Sequence, residues 1–363
     1  MKLFLCGDVM TARGIDQVLP HPSDPVLHEA HMKSALGYLR LAEERNGPIP
    51  RPVDPAYLWG DALAELERAA PAARIVNLET AVTTSDAWLD KGINYRMHPA
   101  NIACLAAARI DCCALANNHV LDWGRAGLLE TLATLHAAGV QTAGAGADRS
   151  SAEAPAALPL EAGGRLLVFS LGTESSGIPA AWAARADTPG VDWLPDLSAA
   201  SVARIAQRVR AAAGPGDRVL ASIHWGANWG YPVADAERRF AHELIERAGV
   251  DLVHGHSSHH PKAIEVHRGK LILYGCGDFI NDYEGIEGHE AFRGDLGLMY
   301  FPTLEAGSGR LLSLELVPTQ LVRFRVTRAG TADARWLCDR LDRESRRFGA
   351  RTGLRADGRI ELQ

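Results

Sequence analysis

Five apolar runs in this chain pass directly into compact polar clusters, and this pattern limits the fold more than any other feature. The first run ends in Gly7-Asp8-Val9-Met10, the second in Asn77-Leu78-Glu79, and the third in Asn117-Asn118-His119 followed by Asp122. The run ending at Ile223 gives His224-Trp225-Gly226, and the next gives His254-Gly255-His256-Ser257-Ser258-His259-His260. Gly275-Cys276-Gly277-Asp278 follows one further run. Short apolar runs of this kind read as buried strands. Ligands of α/β sheets gather outside the carboxyl ends of strands, so the clusters are expected to converge. Glycine in the clusters at Asp8, His224, His256 and Asp278 lets the backbone turn sharply and approach closely.

Strands are expected at Lys2–Cys6, Arg74–Leu78, Asp111–Ala116, Arg165–Leu171, Arg218–Ile223, Asp251–His254 and Leu271–Tyr274, then at Leu296–Phe301, Leu311–Val317 and Val322–Val326. Helices fall between the early strands. Val202, Ile205, Ala206 and Val209 repeat at helical spacing behind a capping Ser198, and Phe240, Leu244 and Ile245 do so between Asp235, read as a cap, and Gly249. Leu128, Leu129, Leu132 and Leu135 mark a third helix after Trp123. Early strands alternate with helices and late ones follow one another, which predicts an α/β fold with a mixed sheet or two packed sheets. We expect one domain over 1–325, with a Pro-bounded insertion at about 20–56 as a lid, and a helical, Arg-rich tail over 326–363 packed on it.

With 363 residues and 47% hydrophobic content, the chain can bury a large core. A formal charge of -6 without a basic block argues against nucleic acid. No apolar run approaches the ~20 residues of a membrane span. The N-terminal apolar stretch is too short for a signal peptide and reads as a strand. Cys6, Cys104, Cys112, Cys113, Cys276 and Cys338 show no Cys-x-x-Cys spacing, so reduced core thiols and a cytoplasmic location are expected.

Carboxylate, amide oxygen and imidazole form the usual ligand set of a divalent cation. Each cluster alone is weak, because a lone His or Asp is more often structural; five in register favour a site. The segment 254–260 also admits an exposed metal-binding loop. His119 with Asp122, and His256 or His259 with Asp278, can form oriented imidazole–carboxylate pairs for proton transfer. For Asp122 a helix cap, and for Asp278 a turn, stand as equal alternatives. Asn77, Arg96, His98, Trp225, Trp229 and Tyr231 are candidates for contacting substrate. For Arg96, a surface salt bridge is an equal alternative.

The ordered motifs Gly7-Asp8-Val9-Met10, Asn77-Leu78-Glu79, Ala116-Asn117-Asn118-His119, His224-Trp225-Gly226, Gly255-His256-Ser257-Ser258-His259 and Gly277-Asp278-Phe279 resemble those of the CapA family. This is the capsule or poly-γ-glutamate biosynthesis type of calcineurin-like metallophosphatase. The resemblance covers roughly residues 1–320 and implies a four-layer sandwich of two mixed sheets flanked by helices, with a metal centre at one edge. It also implies that Asp8, Glu79, Asn118, His224, His256 and His259 occupy metal-binding positions, and that His119 stands where an acid toward the reacting group belongs.

Two departures bear on function. A two-metal phosphoesterase of this superfamily has Asp-x-His at its first motif, where this chain has Met10, and the bridging aspartate position is blurred into Asn77-Leu78-Glu79. We therefore expect one well-occupied cation site, with Ca, Mn or Mg favoured over Zn. The leading expectation is a metal-dependent His/Asp acid–base enzyme acting on a peptide, most specifically a Cα epimerase of the natural-product or lasso-peptide type. The alternatives are a metallophosphoesterase and an accessory protein of poly-γ-glutamate or capsule synthesis.

Overall fold

In the computed structural model of the chain, residues 1–161 and 163–363 are described, and their strands fall into two large sheets and two short two-stranded pairs. The ten-stranded sheet runs Thr352–Leu354, Ile360–Leu362, Leu311–Val322, Leu296–Leu304, Leu3–Val9, Ala73–Leu78, Cys112–Ala114, Gln141–Ala143, with Asp278–Ile280 beside Leu3–Val9 and Arg325–Arg328 beside Leu311–Val322. The seven-stranded sheet runs Trp193–Leu194, Arg165–Thr173, Arg218–His224, Leu252–His256, Lys270–Leu273, Ile264–His267, with Ala156–Pro159 against Arg165–Thr173. Both sheets are mixed: the helix-linked early strands pair in parallel, and the directly connected late strands pair antiparallel.

The two-residue strand period sorts side chains into layers. Leu3, Leu5, Ile75 and Cys112 of the first sheet meet Leu166, Val168, Leu220, Leu252 and Leu271 of the second in one inner core. Phe4, Cys6, Val76 and Leu78 point outward under the helices Ala35–Asn46, Ala62–Ala69 and Gly124–Ala137. Phe169, Val219, Ala221 and Val253 point outward under Ala199–Ala212 and Asp235–Ala248. Helix, sheet, sheet, helix is the calcineurin-like sandwich expected from the sequence. All six cysteines are buried free thiols.

Three local expectations need correction. Val322–Val326 is not one strand: Arg323 and Phe324 take φ of 57° and 56° and form the turn between Leu311–Val322 and Arg325–Arg328. Phe324 is apolar because it is fully buried in the outer core, and Glu284 accepts the backbone N–H groups of both turn residues. Asp235 is not a cap; Ala234 occupies that position, and Glu237 accepts its N–H at 3.2 Å. Ser198, by contrast, accepts from the Ser201 N–H at 3.3 Å. The tail is only partly helical. After Thr331–Ser345, the strands Thr352–Leu354 and Ile360–Leu362 extend the first sheet, while Leu337 and Leu341 enter the inner core.

The 20–56 segment is packed into the outer core through Leu39, Ala42, Ile49 and Val53. Its Glu29 pairs with the buried Arg13 at 3.1 Å, and Arg13 also pairs with Asp282. No helix among the described residues is long and apolar enough to cross a membrane.

Candidate metal centre

The centre lies where parallel strands from both sheets end. Asp8 is in register with Asn77 on one side and Asp278 on the other, and His224 with His256 across the second sheet. A Cβ on Gly7 would stand 1.5 Å from the Gly277 carbonyl oxygen, so only glycine lets these strands close enough to set Asp8 opposite Asp278. Ser257 takes φ of 101° directly after His256, a strained conformation for a residue with a side chain. It turns the chain so that His259 returns to Asp278.

Two donor groups share Asp8, one with His259 and Asp278 and one with His224 and His256; within each, the ligand atoms lie within 4.8 Å of one another. Asp8 Oδ1 accepts from Asn77 Nδ2 at 2.8 Å, but the buried Oδ2 has no hydrogen-bond partner. A buried carboxylate oxygen left without a donor is costly, and a cation would satisfy it. His224 Nδ1 lies 2.7 Å from His256 Nδ1, and His224 Nε2 lies 3.0 Å from Asn118 Oδ1. Ser222 Oγ sits 2.8 Å from His256 Nε2 and 3.1 Å from His254 Nδ1, and His254 Nε2 reaches the Cys6 carbonyl at 2.8 Å. Such outer contacts fix ligand rings in place.

His119 forms the second part of the centre. Its Nδ1 meets Asp122 Oδ2 at 2.6 Å and its Nε2 lies 3.6 Å from Glu79 Oε1. Its ring stacks on Tyr95 at 3.9 Å between centroids. Lys91 Nζ donates to Asp122 Oδ1 at 2.7 Å and to the Asn118 carbonyl. Asp122 is thus no helix cap, since Trp123 holds that position without a side-chain bond.

Burial pushes Asp8 up to about 7, with Asp278 adding like-charge repulsion. Burial and then Asp8 raise Glu79 well above the usual carboxylate range. Burial lowers His119 to about 4, against the pull of Asp122. Burial, with neighbouring imidazoles, holds His224 and His256 well below their ordinary value. Burial also opposes charge on His259, but Asp278 and Asp8 together outweigh it and raise that group. Buried carboxylates held this close are eased by a shared cation. The orphaned Asp8 oxygen and the mixed carboxylate–imidazole set fit a cation.

The model of the family described as bacterial capsule synthesis protein PGA_cap matches residues 2–283, which includes every residue of this centre. The chain belongs to that family. A probable polyglutamine synthesis accessory protein of Mycobacterium tuberculosis is 49% identical over 364 residues, covering 100% of this chain and 96% of that protein. The PGA biosynthesis protein CapA of Bacillus subtilis is 29% identical over 237 residues, 64% of this chain and 58% of that protein. The capsule biosynthesis protein CapA of Bacillus anthracis is 22% identical over 193 residues, 53% of this chain and 45% of that protein.

In this member of the capsule synthesis family, Asp8, Asn118, His224, His256, His259 and Asp278 come together, with Glu79, His119 and Asp122 alongside. The substrate candidates divide. Trp229 stacks on His289 and stands 5.2 Å from the His259 ring, so it walls the centre. Tyr231 packs on His260 under Arg340. Trp225 is core, 2% exposed, with Nε1 donating to the Tyr274 carbonyl. Asn77 is fully buried and spends its amide on Asp8 and Asn117. Arg96 lies over Trp123 and donates to Asp86 at 3.0 Å, the salt-bridge alternative. His98 accepts the Ala100 N–H and caps a short helical turn.

Sequence reasoning missed Lys91, Asn117 and Asn281. Asn117 Oδ1 accepts the N–H groups of His119 and Val120, and Asn281 donates to Asp278 at 3.0 Å. Asn117 was visible in its motif, whereas nothing local marked Lys91 or Asn281. Met10, where the superfamily has its first-motif His, is buried and receives the Tyr283 hydroxyl at 3.6 Å.

Proposed function

We propose that the chain is a divalent-cation-dependent acid–base enzyme serving polyglutamate or capsule synthesis, moving a proton at the Cα of a glutamyl residue in a peptide substrate. The observation that carries this reading is the pair of imidazole–carboxylate couples beside Asp8, His119–Asp122 at 2.6 Å and His259–Asp278 at 2.9 Å. Each carboxylate fixes its ring in one tautomer and leaves the other nitrogen to exchange a proton. One couple removes the Cα proton and the other returns one to the opposite face, so no further reactant is needed. Asp8, His224 and His256 would hold the cation, with Asn118 beside them, which leaves the His259–Asp278 couple free to exchange a proton. Bound there, it would stabilise enolate-like charge on the substrate carbonyl. A carboxylate together with imidazoles suits Mn2+, which takes both. Trp229, with His289, offers the substrate an apolar wall beside His259. The polyglutamate setting comes from the relatives' names.

A second reading, phosphoester hydrolysis, is favoured by the sharing of Asp8 between two donor groups, as a bridge between two ions requires. Incubation with α- and γ-linked glutamyl peptides and Mn2+ in deuterated water separates the two. The first reading expects one deuterium at Cα, lost with His119→Ala. Aryl phosphate turnover without deuterium uptake would select the second reading. Neither activity would reject both and leave a non-catalytic accessory role.

A further inference from the structure

We propose a separate transition-metal site on the outer face of the second sheet, formed by His242, Glu265 and His267 with Glu246 as a fourth donor. His242 and Glu246 are four residues apart on the Asp235–Ala248 helix and so share a face. Glu265 and His267 are two apart on the edge strand Ile264–His267, and both project toward that helix. Helix and strand therefore each supply one imidazole and one carboxylate. One ligand atom from each of His242, Glu265 and His267 lies within 4.8 Å of the others.

The donors are already close to a coordination shell. His242 Nε2 lies 3.0 Å from Glu265 Oε1, and His267 Nε2 lies 2.7 Å from Glu246 Oε1. Adjacent ligands of a tetrahedral ion at ~2.0–2.1 Å stand ~3.3 Å apart, so within each of these two pairs the donors need to move by only a few tenths of an ångström. The two imidazoles stack at 3.6 Å with 9° between planes, which holds both rings edge-on to the carboxylates. Glu265 is 3% exposed and anchored by the Tyr274 hydroxyl at 2.7 Å. Arg238 also donates to Glu265, at 2.8 Å to Oε1, and Arg268 donates to Glu246 at 2.6 Å. A cation must share these carboxylates with two guanidiniums. Imidazole nitrogen is therefore the decisive donor, which selects the Zn2+ and Cu2+ class over Mg2+ or Ca2+.

None of these residues belongs to the centre at Asp8, and the ion would tie the helix to the sheet's edge strand. Titration of the full chain with Zn2+ against a chromophoric chelator tests the proposal in wild type, Asp8→Asn and His242→Gln/His267→Gln. Both histidines are half-buried, and circular dichroism checks the fold. The double variant is expected to lose one Zn2+ equivalent, or to bind it at least ~10-fold more weakly, while Asp8→Asn retains that equivalent. Glu246→Gln alone is expected to weaken the same step. An unchanged Zn2+ isotherm in the double variant overturns the site. Loss of binding in Asp8→Asn alone would place all bound Zn2+ at the other centre and overturn it equally.

Discussion

Asp8 concentrates the tension of this protein in a single side chain. It is fully buried, faces Asp278 across a strand pair and lies beside Glu79, and one of its oxygens has no donor. Asp8→Asn keeps the oxygen that accepts from Asn77 and removes one charge. Without added metal, this variant is expected to be more stable than wild type by about 1–3 kcal/mol, while cation binding falls; denaturant melts with and without Mn2+ read both effects. Asp122→Asn leaves His119 without its carboxylate, and activity is expected to fall about 10²–10⁴-fold. Trp225→Ala is expected to cost about 3–5 kcal/mol through the core and to show little effect on substrate affinity in the folded fraction. The donors were legible because each lies in a compact polar cluster that follows an apolar run, with glycine beside Asp8, His256 and Asp278. Lys91 was not, since its charge reaches Asp122 from a loop 31 residues away in the chain. Trp225 stood among the substrate candidates because glycine breaks the loop after it, although its own ring turns inward.

Between elements, Glu65 is the clearest joint. Its carboxylate on the Ala62–Ala69 helix meets Arg68, Arg328 of the Arg325–Arg328 strand, and Arg359 before the last strand. Burial alone would raise its pKa, but the hydrogen bonds from Arg359, Arg68 and Arg328 outweigh it and bring the group down to about 2. A depressed folded pKa means the stabilisation is present above the unfolded value of about 4.3 and is lost as pH falls from there through about 2. Glu65→Gln is expected to cost about 1–3 kcal/mol at neutral pH and to flatten the acid limb of a stability–pH curve over that window. An acid limb as steep as wild type would contradict this assignment. Helices with regular apolar spacing were readable, including Ala199–Ala212 behind Ser198. Arg323 and Phe324 were not, because an apolar residue buried in a tight turn looks in sequence like part of a strand.

Across the whole molecule, the order of strands and clusters pointed to a mixed sheet or two packed sheets with polar clusters at strand ends, and the resemblance to the CapA family implied the four layers. The closing hairpin was hidden: Thr352–Leu354 and Ile360–Leu362 are three residues each, too short for an alternating pattern, and they extend the sheet by pairing with each other and, through Ile360–Leu362, with Leu311–Val322. The sandwich matters to function because neither sheet alone holds the centre. The first sheet brings Asp8, Glu79, Asn118, His119 and Asp278, and the second brings His224, His256 and His259. Anomalous diffraction from crystals grown with Mn2+ tests that convergence most directly. The account predicts a peak within ~2.0–2.6 Å of an Asp8 oxygen and of the His224 and His256 donors, absent in Asp8→Asn. Saturating Mn2+ with no peak at Asp8 would contradict it.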